Sequence, residues 1–461
     1  MTRSHWMIGG PILAVISALA CLQSGLSWEA SWTAGVTVLC ACWWVTEAIP
    51  IPATSMIPFA ALPLGGVLDH KEVAAAYGHT LILLLLGGFV VSLAMEKSGA
   101  HRRLALGMVR IAGKNSHRRL VLGFMVATAA LSMWISNTAT TLMMLPVALA
   151  IIDQADDERL AIPLLLGIAY AANVGGIGTP VGTPPNVVFM AVYSEHTGRE
   201  VGFLEWMQIG VPIVVCMLPV VWLLLTRKLV GGGNLALPTA GTWRTEEIRV
   251  LVVFGLTALA WVTRAEPFGG WSGLLEVPGV GDSTVAMAAA VSLFLVSDGK
   301  QGRLMDWDTA KALPWGLLVL FGGGLAIASA FNASGLSLAL GEVLSSLANW
   351  PALTMTLAIC LSVTFLTEIT SNTATTTLLM PILAAAAAAA QIEPALLMAP
   401  AAISASCAFM LPVATAPNAI AFGTGRFTTS EMARTGFRIN LAGSVLITGL
   451  ALLLLDGPLG L

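Results

Sequence analysis

The hexapeptide Ser-Asn-Thr-Ala-Thr-Thr occurs twice in this sequence, at residues 136–141 and again at residues 371–376. Each copy lies between strongly apolar runs, although five of its six residues are polar. A proline follows ten positions after each serine, as Pro146 and Pro381. Polar groups inside an apolar segment cost free energy unless they are satisfied by partners. The repetition therefore indicates a structure that needs both copies.

The composition indicates a protein that crosses a membrane many times. Of the 461 residues, 57% are hydrophobic and 10% are charged, whereas soluble proteins carry about 25% charged residues. The mean hydropathy is +0.85. Apolar runs of the roughly 20 residues that a spanning helix needs recur along the chain, so we expect an all-α polytopic membrane protein. The net charge of -3 gives no indication of a nucleic-acid partner.

The distribution of basic residues orients the predicted spans. About 11 transmembrane segments and two re-entrant hairpins are expected, and the hairpins, around residues 120–152 and 351–392, contain the hexapeptides. With the N-terminus cytoplasmic and the C-terminus periplasmic, all but three of the 22 Lys and Arg residues fall on the cytoplasmic side, as the positive-inside rule requires. The predicted crossings are centred near residues 16, 40, 60, 88, 177, 217, 257, 291, 322, 409 and 448.

Three paired features predict an internal repeat. The hexapeptide copies lie 235 residues apart, and the same spacing separates Gly87-Gly88 from Gly322-Gly323. PVGTPPN at residues 180–186 matches PVATAPN at residues 412–418. Because an odd number of predicted crossings separates each pair, the second copy must run in the opposite direction, as in the inverted repeats of secondary transporters. For the glycine pairs, close helix packing is the alternative explanation.

The repeat divides the chain into consecutive parts, each with an expected range. Each repeat holds one hairpin and one broken helix, the broken helices being expected around residues 160–192 and 395–423. The parts are N-terminal helices outside or at the edge of the repeat (1–50), a first repeat (51–230), a cytoplasmic linker (231–249) and a second repeat (250–461).

A further segment, residues 97–119, mixes basic with apolar residues. This pattern predicts an amphipathic helix lying on the cytoplasmic membrane surface. A basic loop is the alternative.

The two P-V-x-T-x-P-N segments must interrupt their helices, because a proline removes an amide donor and clashes with the preceding turn. Each break exposes carbonyl oxygens on one side and amides on the other. Carbonyl, Ser, Thr and Asn oxygens suit a hard cation such as sodium, and amides at a helix N-terminus bind a carboxylate or another anion. Ser and Thr that bond only within their own helices are the alternative, but two identical hexapeptides, each paired with a break, favour a binding site.

Charged residues limit what this site can bind. No Lys or Arg lies in the hexapeptides or the two breaks, so an anionic substrate would need helix ends, polar donors and co-bound cations. A neutral substrate would remove that need. Glu47 and Glu368 lie in apolar surroundings, where a carboxylate is a functional candidate. A structural role is at least as good an explanation for Glu47, and for Glu368 we prefer support of the hairpin over proton transfer.

The sequence resembles the divalent anion/sodium symporter (DASS) family, which includes the bacterial sodium-coupled dicarboxylate transporters of the INDY type. The resemblance rests on SNT followed by a proline in both halves, and on WVTEAIP, GTPPN and FMLPVATAPNAIAF, and it covers essentially the whole chain. It implies a homodimer in the bacterial inner membrane, in contact with lipid. Within each protomer it implies a scaffold domain and a transport domain that moves as an elevator and carries substrate and sodium (Na+).

The resemblance also implies roles for individual residues, carried over by motif. Asn137, Thr138, Asn372 and Thr373 would contact the substrate carboxylates, and Thr183, Pro184 and Thr415 would close the pocket. One sodium would be held by Ser132, Ser136, Asn137 and the backbone at Gly182, and a second by Thr367, Thr370, Asn372 and the backbone at Ala414. The chain has Ala416 where many members have proline, so the family pattern does not fix the shape of the pocket there.

We therefore expect a secondary active transporter for sodium-coupled symport of C4-dicarboxylates such as succinate, malate or fumarate. The alternatives are a sodium-independent dicarboxylate exchanger and a carrier of sulfate or tricarboxylate. A channel is a further alternative. An enzyme is not expected, because all six histidines fall in predicted loops or near helix ends, without a nucleophile and base around them.

Overall fold

The computed structural model describes residues 3–111, 116–155, 158–229, 231, 241–265, 269–344 and 350–455. These residues form α-helices, short 3-10 turns and connecting segments, with an isolated antiparallel bridge between Ser297 and Arg303. The first half contains α1 (Arg3–Gln23), α2 (Trp28–Thr46), α3 (Ile51–Thr54), α4 (Ile57–Leu64), α5 (His70–Tyr77), α6 (Thr80–Ser98), α7 (Ala100–Ile111), α8 (His117–Ser132), α9 (Asn137–Ala155), α10 (Ala161–Gly175), α11 (Pro184–Thr197) and α12 (Phe203–Thr226). The second half contains α13 (Thr245–Val262), α14 (Gly270–Leu274), α15 (Asp282–Leu295), α16 (Trp307–Ala310), α17 (Trp315–Ala333), α18 (Leu336–Leu344), α19 (Ala352–Leu366), α20 (Asn372–Ala390), α21 (Ala395–Ala405), α22 (Ala416–Phe422) and α23 (Thr429–Leu455).

The lengths of the helices agree with a membrane protein. Among the described residues, eight helices are long and apolar enough to cross a bilayer. Two of these, α9 and α20, belong to the predicted hairpins, and the predicted crossings near residues 60 and 291 correspond to shorter apolar helices. The all-helical architecture is therefore confirmed. The count of eleven crossings and the re-entrant path of the hairpins stay predictions.

Each hexapeptide lies at a bend between the two helices of a predicted hairpin. The first copy opens α9 after a short bend from α8, and the second opens α20 after a bend from α19. Ser136 Oγ accepts a hydrogen bond from Ala139 N at 3.1 Å, and Ser371 Oγ accepts one from Ala374 N at 3.5 Å. A serine at this position satisfies an amide that has no partner within the helix. The serines thus end the bends and start the helices.

Both predicted helix breaks are present. After α10 the chain makes a 3-10 turn at Gly176–Gly178 and resumes as α11, and after α21 it reaches a 3-10 turn at Pro412–Ala414 and resumes as α22. Pro184 and Pro185 occupy the first turn of α11, as Pro417 does in α22. Proline suits the first turn because no intrahelical hydrogen bond is lost there.

The interrupted helices form the centre of the molecule. Every residue of α21 is buried, as is every residue of α10 except Ile162, which is the burial expected for a helix that is apolar on all sides. Tyr170 of α10 reaches the second break, where its hydroxyl donates to Phe409 O at 2.6 Å.

The packing of the two halves is reciprocal. Helix α9 packs against α22 and α20 packs against α11, while α10 contacts α22 and α21 contacts α11. Glycines allow a second set of close approaches. A Cβ added at Gly88 of α6 would lie 2.8 Å from Val181 Cγ1, and one at Gly324 of α17 would lie 2.1 Å from Thr377 Cγ2. In the predicted pairs, a Cβ added at Gly87 would lie 2.6 Å from Ala286 Cβ and one at Gly323 would lie 2.5 Å from Ser55 O, in agreement with the packing explanation.

Two predicted segments contain helix ends that the sequence did not indicate. The segment 97–119 is divided, since α6 ends at Ser98, Gly99 turns the chain with a φ of 76°, and α7 covers only Ala100–Ile111. Helix α7 is amphipathic, with Leu106 and Val109 buried and other residues exposed. Helix α13 begins at Thr245, within the predicted linker 231–249, and the bounds of the linker stay a prediction. The rest of that linker falls largely outside the described residues.

Candidate functional site

A cavity of about 670 Å³ lies where the two hairpin bends meet the two helix breaks. Residues 136–138 and 369–373 of the bends and residues 181–185 and 413–417 of the breaks line it, and α2 and α6 contribute to the opposite wall. All the residues expected to bind substrate lie on this cavity: Asn137, Thr138, Thr183, Pro184, Asn372, Thr373 and Thr415.

The expected sodium ligands divide into a lining group and a buried pair. Ser132 and Thr367 are fully buried and lie behind the lining, where they contact Asn137 and Asn372. The residues that line the cavity are Ser136, Asn137, Gly182, Thr370, Asn372 and Ala414. The structure thus brings the predicted residues together, and their roles stay predictions.

At the first bend, one hydroxyl faces two acceptors. Ser132 Oγ lies 2.5 Å from Asn137 Oδ1 and 2.8 Å from Ala172 O. The hydroxyl carries one proton and can donate it to only one of the two oxygens. The hydroxyl oxygen therefore lies against one acceptor oxygen with no proton between them. A nearby cation would offset the repulsion between these two oxygens.

Further oxygens converge beside Asn137. A Cβ added at Gly176 would lie 2.9 Å from Asn137 Oδ1 and 3.1 Å from Gly182 O. One added at Gly182 would lie 2.5 Å from Gly176 O and 2.9 Å from Met133 O. Only glycine allows the backbone to approach this closely. If the Asn137 amide were turned by about 180°, its Nδ2 would face these oxygens and donate hydrogen bonds to them. Cation binding therefore requires Oδ1 on this side, as in the structure.

The second bend repeats the first arrangement. Thr367 Oγ1 lies 2.9 Å from Asn372 Oδ1 and 2.9 Å from Ala405 O, so it too faces two acceptors with one proton. Thr370 departs from the first half, where Ile135 precedes the hexapeptide. Its hydroxyl lies 2.8 Å from Leu366 O and 2.7 Å from Thr375 Oγ1. The second bend therefore has one hydroxyl, that of Thr370, that the first bend lacks.

An asparagine closes each break. Asn186 Nδ2 donates to Gly176 O at 2.9 Å and to Thr179 O at 2.7 Å. In the second half, Asn418 Nδ2 donates to Ala408 O at 2.9 Å and to Leu411 O at 3.1 Å. Carbonyls released by the breaks are thus satisfied by the last residue of each P-V-x-T-x-P-N segment. This explains why that asparagine follows the prolines in both halves.

The bends offer amides and the breaks offer mainly carbonyls. Helices α9 and α20 begin at the cavity, and the positive ends of their dipoles face it. Helix α11 also begins there, but Pro184 and Pro185 carry no amide hydrogen. An anion in the cavity would therefore meet donors from Asn137, Asn372 and their neighbours. Among the described residues no Lys or Arg lines the cavity, whereas Glu47 and Glu96 do.

Glu368 supports the second break. Its Oε1 accepts hydrogen bonds from Phe409 N at 2.7 Å, Met410 N at 2.9 Å and Asn440 Nδ2 at 2.8 Å, and its Oε2 accepts one from Leu411 N at 3.0 Å. The side chain is buried. Three consecutive amides left unpaired by the break thus share one carboxylate. The expected support of the hairpin is thus support of the second break, and the functional role of Glu368 stays a prediction.

Sequence reasoning missed two residues that organise the site. Asn173 lines the cavity and bonds across to the second break, and Trp206 Nε1 donates to Ile177 O at 2.9 Å in the first break. Asn173 is a lone polar side chain in the apolar run before the first break, and this signal could have identified it. The partner of Trp206 lies in a distant segment, so no local pattern indicates it.

Comparisons with known proteins agree with this architecture. A family model described as "Citrate transporter" matches residues 41–402. The YdaH transporter of Alcanivorax borkumensis has a similar fold, with a TM-score of 0.58 at 16% sequence identity over 90% of this chain and 97% of that chain.

Two curated relatives match nearly the whole chain. The sodium-dependent dicarboxylate transporter SdcS of Staphylococcus saprophyticus is 42% identical over 99% of this chain and 92% of the relative. SdcS of Staphylococcus aureus strain bovine RF122 is 40% identical over 96% of this chain and 89% of the relative. Together with the paired motifs, these matches show that the chain belongs to the divalent anion/sodium symporter family.

Proposed function

We propose that this protein is a secondary active transporter that couples inward sodium movement to uptake of a C4-dicarboxylate such as succinate, malate or fumarate. The observation that carries the proposal is the repeated arrangement at the two bends. In each half a hydroxyl, an asparagine oxygen and a backbone carbonyl meet at the start of a helix that faces one cavity. The names of the relatives give the same ion and the same class of substrate.

Sodium suits the oxygen clusters. The ligands at both bends are neutral oxygens, which hold a hard monovalent cation without trapping it. No group of His, Cys, Asp and Glu that could hold a transition metal occurs in the described part of the chain. Ser132, Ser136, Asn137 and Gly182 would bind one ion, and Thr367, Thr370, Asn372 and Ala414 a second. A bound cation would supply the positive charge missing from the crowded oxygen contacts.

Sodium and dicarboxylate would bind in support of each other. The cavity offers a dianion amide and hydroxyl donors from the bends but, among its described lining residues, no basic side chain. Two sodium ions behind Asn137 and Asn372 would offset the two carboxylates. Without them, no basic side chain among the described lining residues would offset the two carboxylates. This mutual dependence favours symport over an uncoupled route.

The alternatives predict different transport behaviour. A sodium-independent exchanger would need only the anion donors, and a carrier of sulfate or tricarboxylate would use the same amides with a different pocket shape at Ala416. Each is separated from the proposal by ion replacement or by competition with unlabelled anions. A channel would pass the anion through a continuous pore, so flux that saturates at a low turnover rate would exclude one.

The architecture supports the finer parts of the proposal. We assign α2–α6 and α13–α17 to the scaffold and α8–α12 and α19–α23 to a transport domain that moves as an elevator in an inner-membrane homodimer. The close approaches at Gly88 and Gly324 lie between these two groups. Helix α7 connects them, with Arg103 Nε donating to Glu247 Oε2 at 2.9 Å. In the proposed topology the N-terminus is cytoplasmic and the C-terminus is periplasmic.

Radiolabelled succinate uptake into proteoliposomes tests the function. An inward sodium gradient should raise initial uptake at least about tenfold over an equal potassium gradient, because the dianion binds only with its cations. Uptake that is indifferent to sodium and is stimulated by internal dicarboxylate would identify an exchanger and contradict symport. Succinate displaced more effectively by sulfate or citrate than by malate would identify another substrate class.

The site assignment is tested by Asn137→Ala and Asn372→Ala. Each removes one oxygen from a proposed cation site and one donor from the anion site, so uptake should fall about ten- to a hundredfold. Asn332→Ala is the matched control, because Asn332 is an exposed amide of α17 away from the cavity. Wild-type uptake by either test variant, in protein that elutes from size exclusion as the wild type does, would contradict the assignment of that asparagine to the site.

The role of Glu368 is tested by Glu368→Gln. An amide cannot accept all four hydrogen bonds, so we expect the free energy of unfolding to fall by about 2–5 kcal/mol, measured as a lower unfolding temperature in detergent. Glu342→Gln, at an exposed carboxylate of α18, should leave that temperature unchanged. Normal stability of Glu368→Gln together with an altered pH dependence of uptake would instead identify a proton carrier.

A further inference from the structure

The side chain of Asn173 joins the two broken helices. Asn173 lies near the end of α10 and is 2% exposed. Its Nδ2 donates to Thr415 Oγ1 at 3.1 Å and to Asn418 Oδ1 at 3.3 Å, so each of its two amide hydrogens has a partner in the opposite half. The contact spans 242 residues of sequence.

On one side, Asn173 is attached to the first bend. The residue before it, Ala172, provides the carbonyl that contacts Ser132 Oγ at 2.8 Å, and the same hydroxyl contacts Asn137 Oδ1. Any change that orders Ser132 and Asn137 therefore also orders the backbone from which the Asn173 side chain projects.

On the other side, Asn173 holds the second break. Thr415 Oγ1 also accepts from Asn418 N at 3.3 Å, which caps α22. Asn418 in turn holds the carbonyls of the break, including Leu411 O at 3.1 Å. Losing the bonds from Asn173 would free the Thr415 hydroxyl beside Ala414, whose carbonyl belongs to the second proposed sodium site.

The corresponding position in the other half lacks this connection. Ala405 O contacts Thr367 as Ala172 O contacts Ser132, so Ser406 corresponds to Asn173. Ser406 Oγ is buried without a hydrogen-bond partner, and so is Asn186 Oδ1, the counterpart of the Asn418 oxygen. Helix α21 packs on α11 as α10 packs on α22, yet the direct bond is made only by Asn173 in the described part of these breaks.

We propose that Asn173 is the positioning residue that links the two sodium sites. Sodium at the first site fixes Ser132, Asn137 and the Ala172 carbonyl. The amide of Asn173 then fixes Thr415 and Asn418 in the arrangement that the second sodium and the substrate need. The inference rests on the proposed function, because it concerns how the two ions act together.

Sodium dependence of succinate uptake by Asn173→Ala tests the link. At saturating succinate, the sodium concentration for half-maximal uptake should rise about three- to tenfold and the Hill coefficient should fall, while the maximal rate at saturating sodium stays near that of the wild type. Ser406→Ala is the matched control, because its hydroxyl bonds nothing in the corresponding position. It should keep the wild-type Hill coefficient.

Two results would overturn the proposal. One is a wild-type sodium curve for Asn173→Ala, and the other is a changed KM for succinate with an unchanged Hill coefficient, which indicates only local support of the pocket. If Asn173→Ala does not fold, Asn173→Ser, which keeps one donor, is measured instead and should show the same changes to a smaller extent. In a Thr415→Val background Asn173→Ala should have a smaller effect than in the wild type, since the bond to Thr415 is already broken and only the bond to Asn418 remains to be lost.

The same measurement separates this proposal from the proposed function. A wild-type protein whose uptake does not depend on sodium contradicts the symport itself. A sodium-dependent wild type with an unaltered Asn173→Ala contradicts only the link.

Discussion

The structure depends on one constraint, which is that interrupted backbone buried in an apolar interior must find its hydrogen bonds within the protein. Helices α10 and α21 end at the centre of the molecule, where almost every residue is buried. Asn186 satisfies carbonyls of the first break, and Asn418 does so in the second. Glu368 accepts the three amides that the second break releases. Helices α9 and α20, which begin at the two bends, pack against the helices that follow these breaks.

The candidate site consists mainly of polar groups at the bends and breaks that are not hydrogen-bonded by Asn186, Asn418 or Glu368. The backbone oxygens near Gly176 and Gly182 are packed closely together, and one hydroxyl in each half faces two acceptors. Such a cluster favours a cation. The helix starts at the bends favour an anion. The proposed cation and anion sites thus lie on one cavity, where the ions would bind as a nearly neutral set without a basic side chain among the described lining residues.

The sequence predicted the local features of this arrangement and missed the long-range ones. The breaks and the four segments that line the cavity followed from the repeated hexapeptide and from the prolines, because those signals act within a few residues, whereas the individual ligand residues came from the family resemblance. The division of residues 97–119 at Gly99 was missed because no neighbouring residue in this basic segment indicates that the glycine adopts a left-handed conformation. Asn173 and Tyr170 each act on a partner more than 200 residues away, and a single sequence carries no information on such pairs.

Equilibrium binding of labelled succinate to the purified protein, measured across sodium concentrations at constant ionic strength, tests the central claim most directly. The account predicts that succinate affinity rises steeply with sodium and is lost when potassium replaces sodium, because the cations supply the charge that the cavity lacks. Equal affinity in sodium and potassium would contradict it, since the anion would then be held by the helix starts and hydroxyls alone.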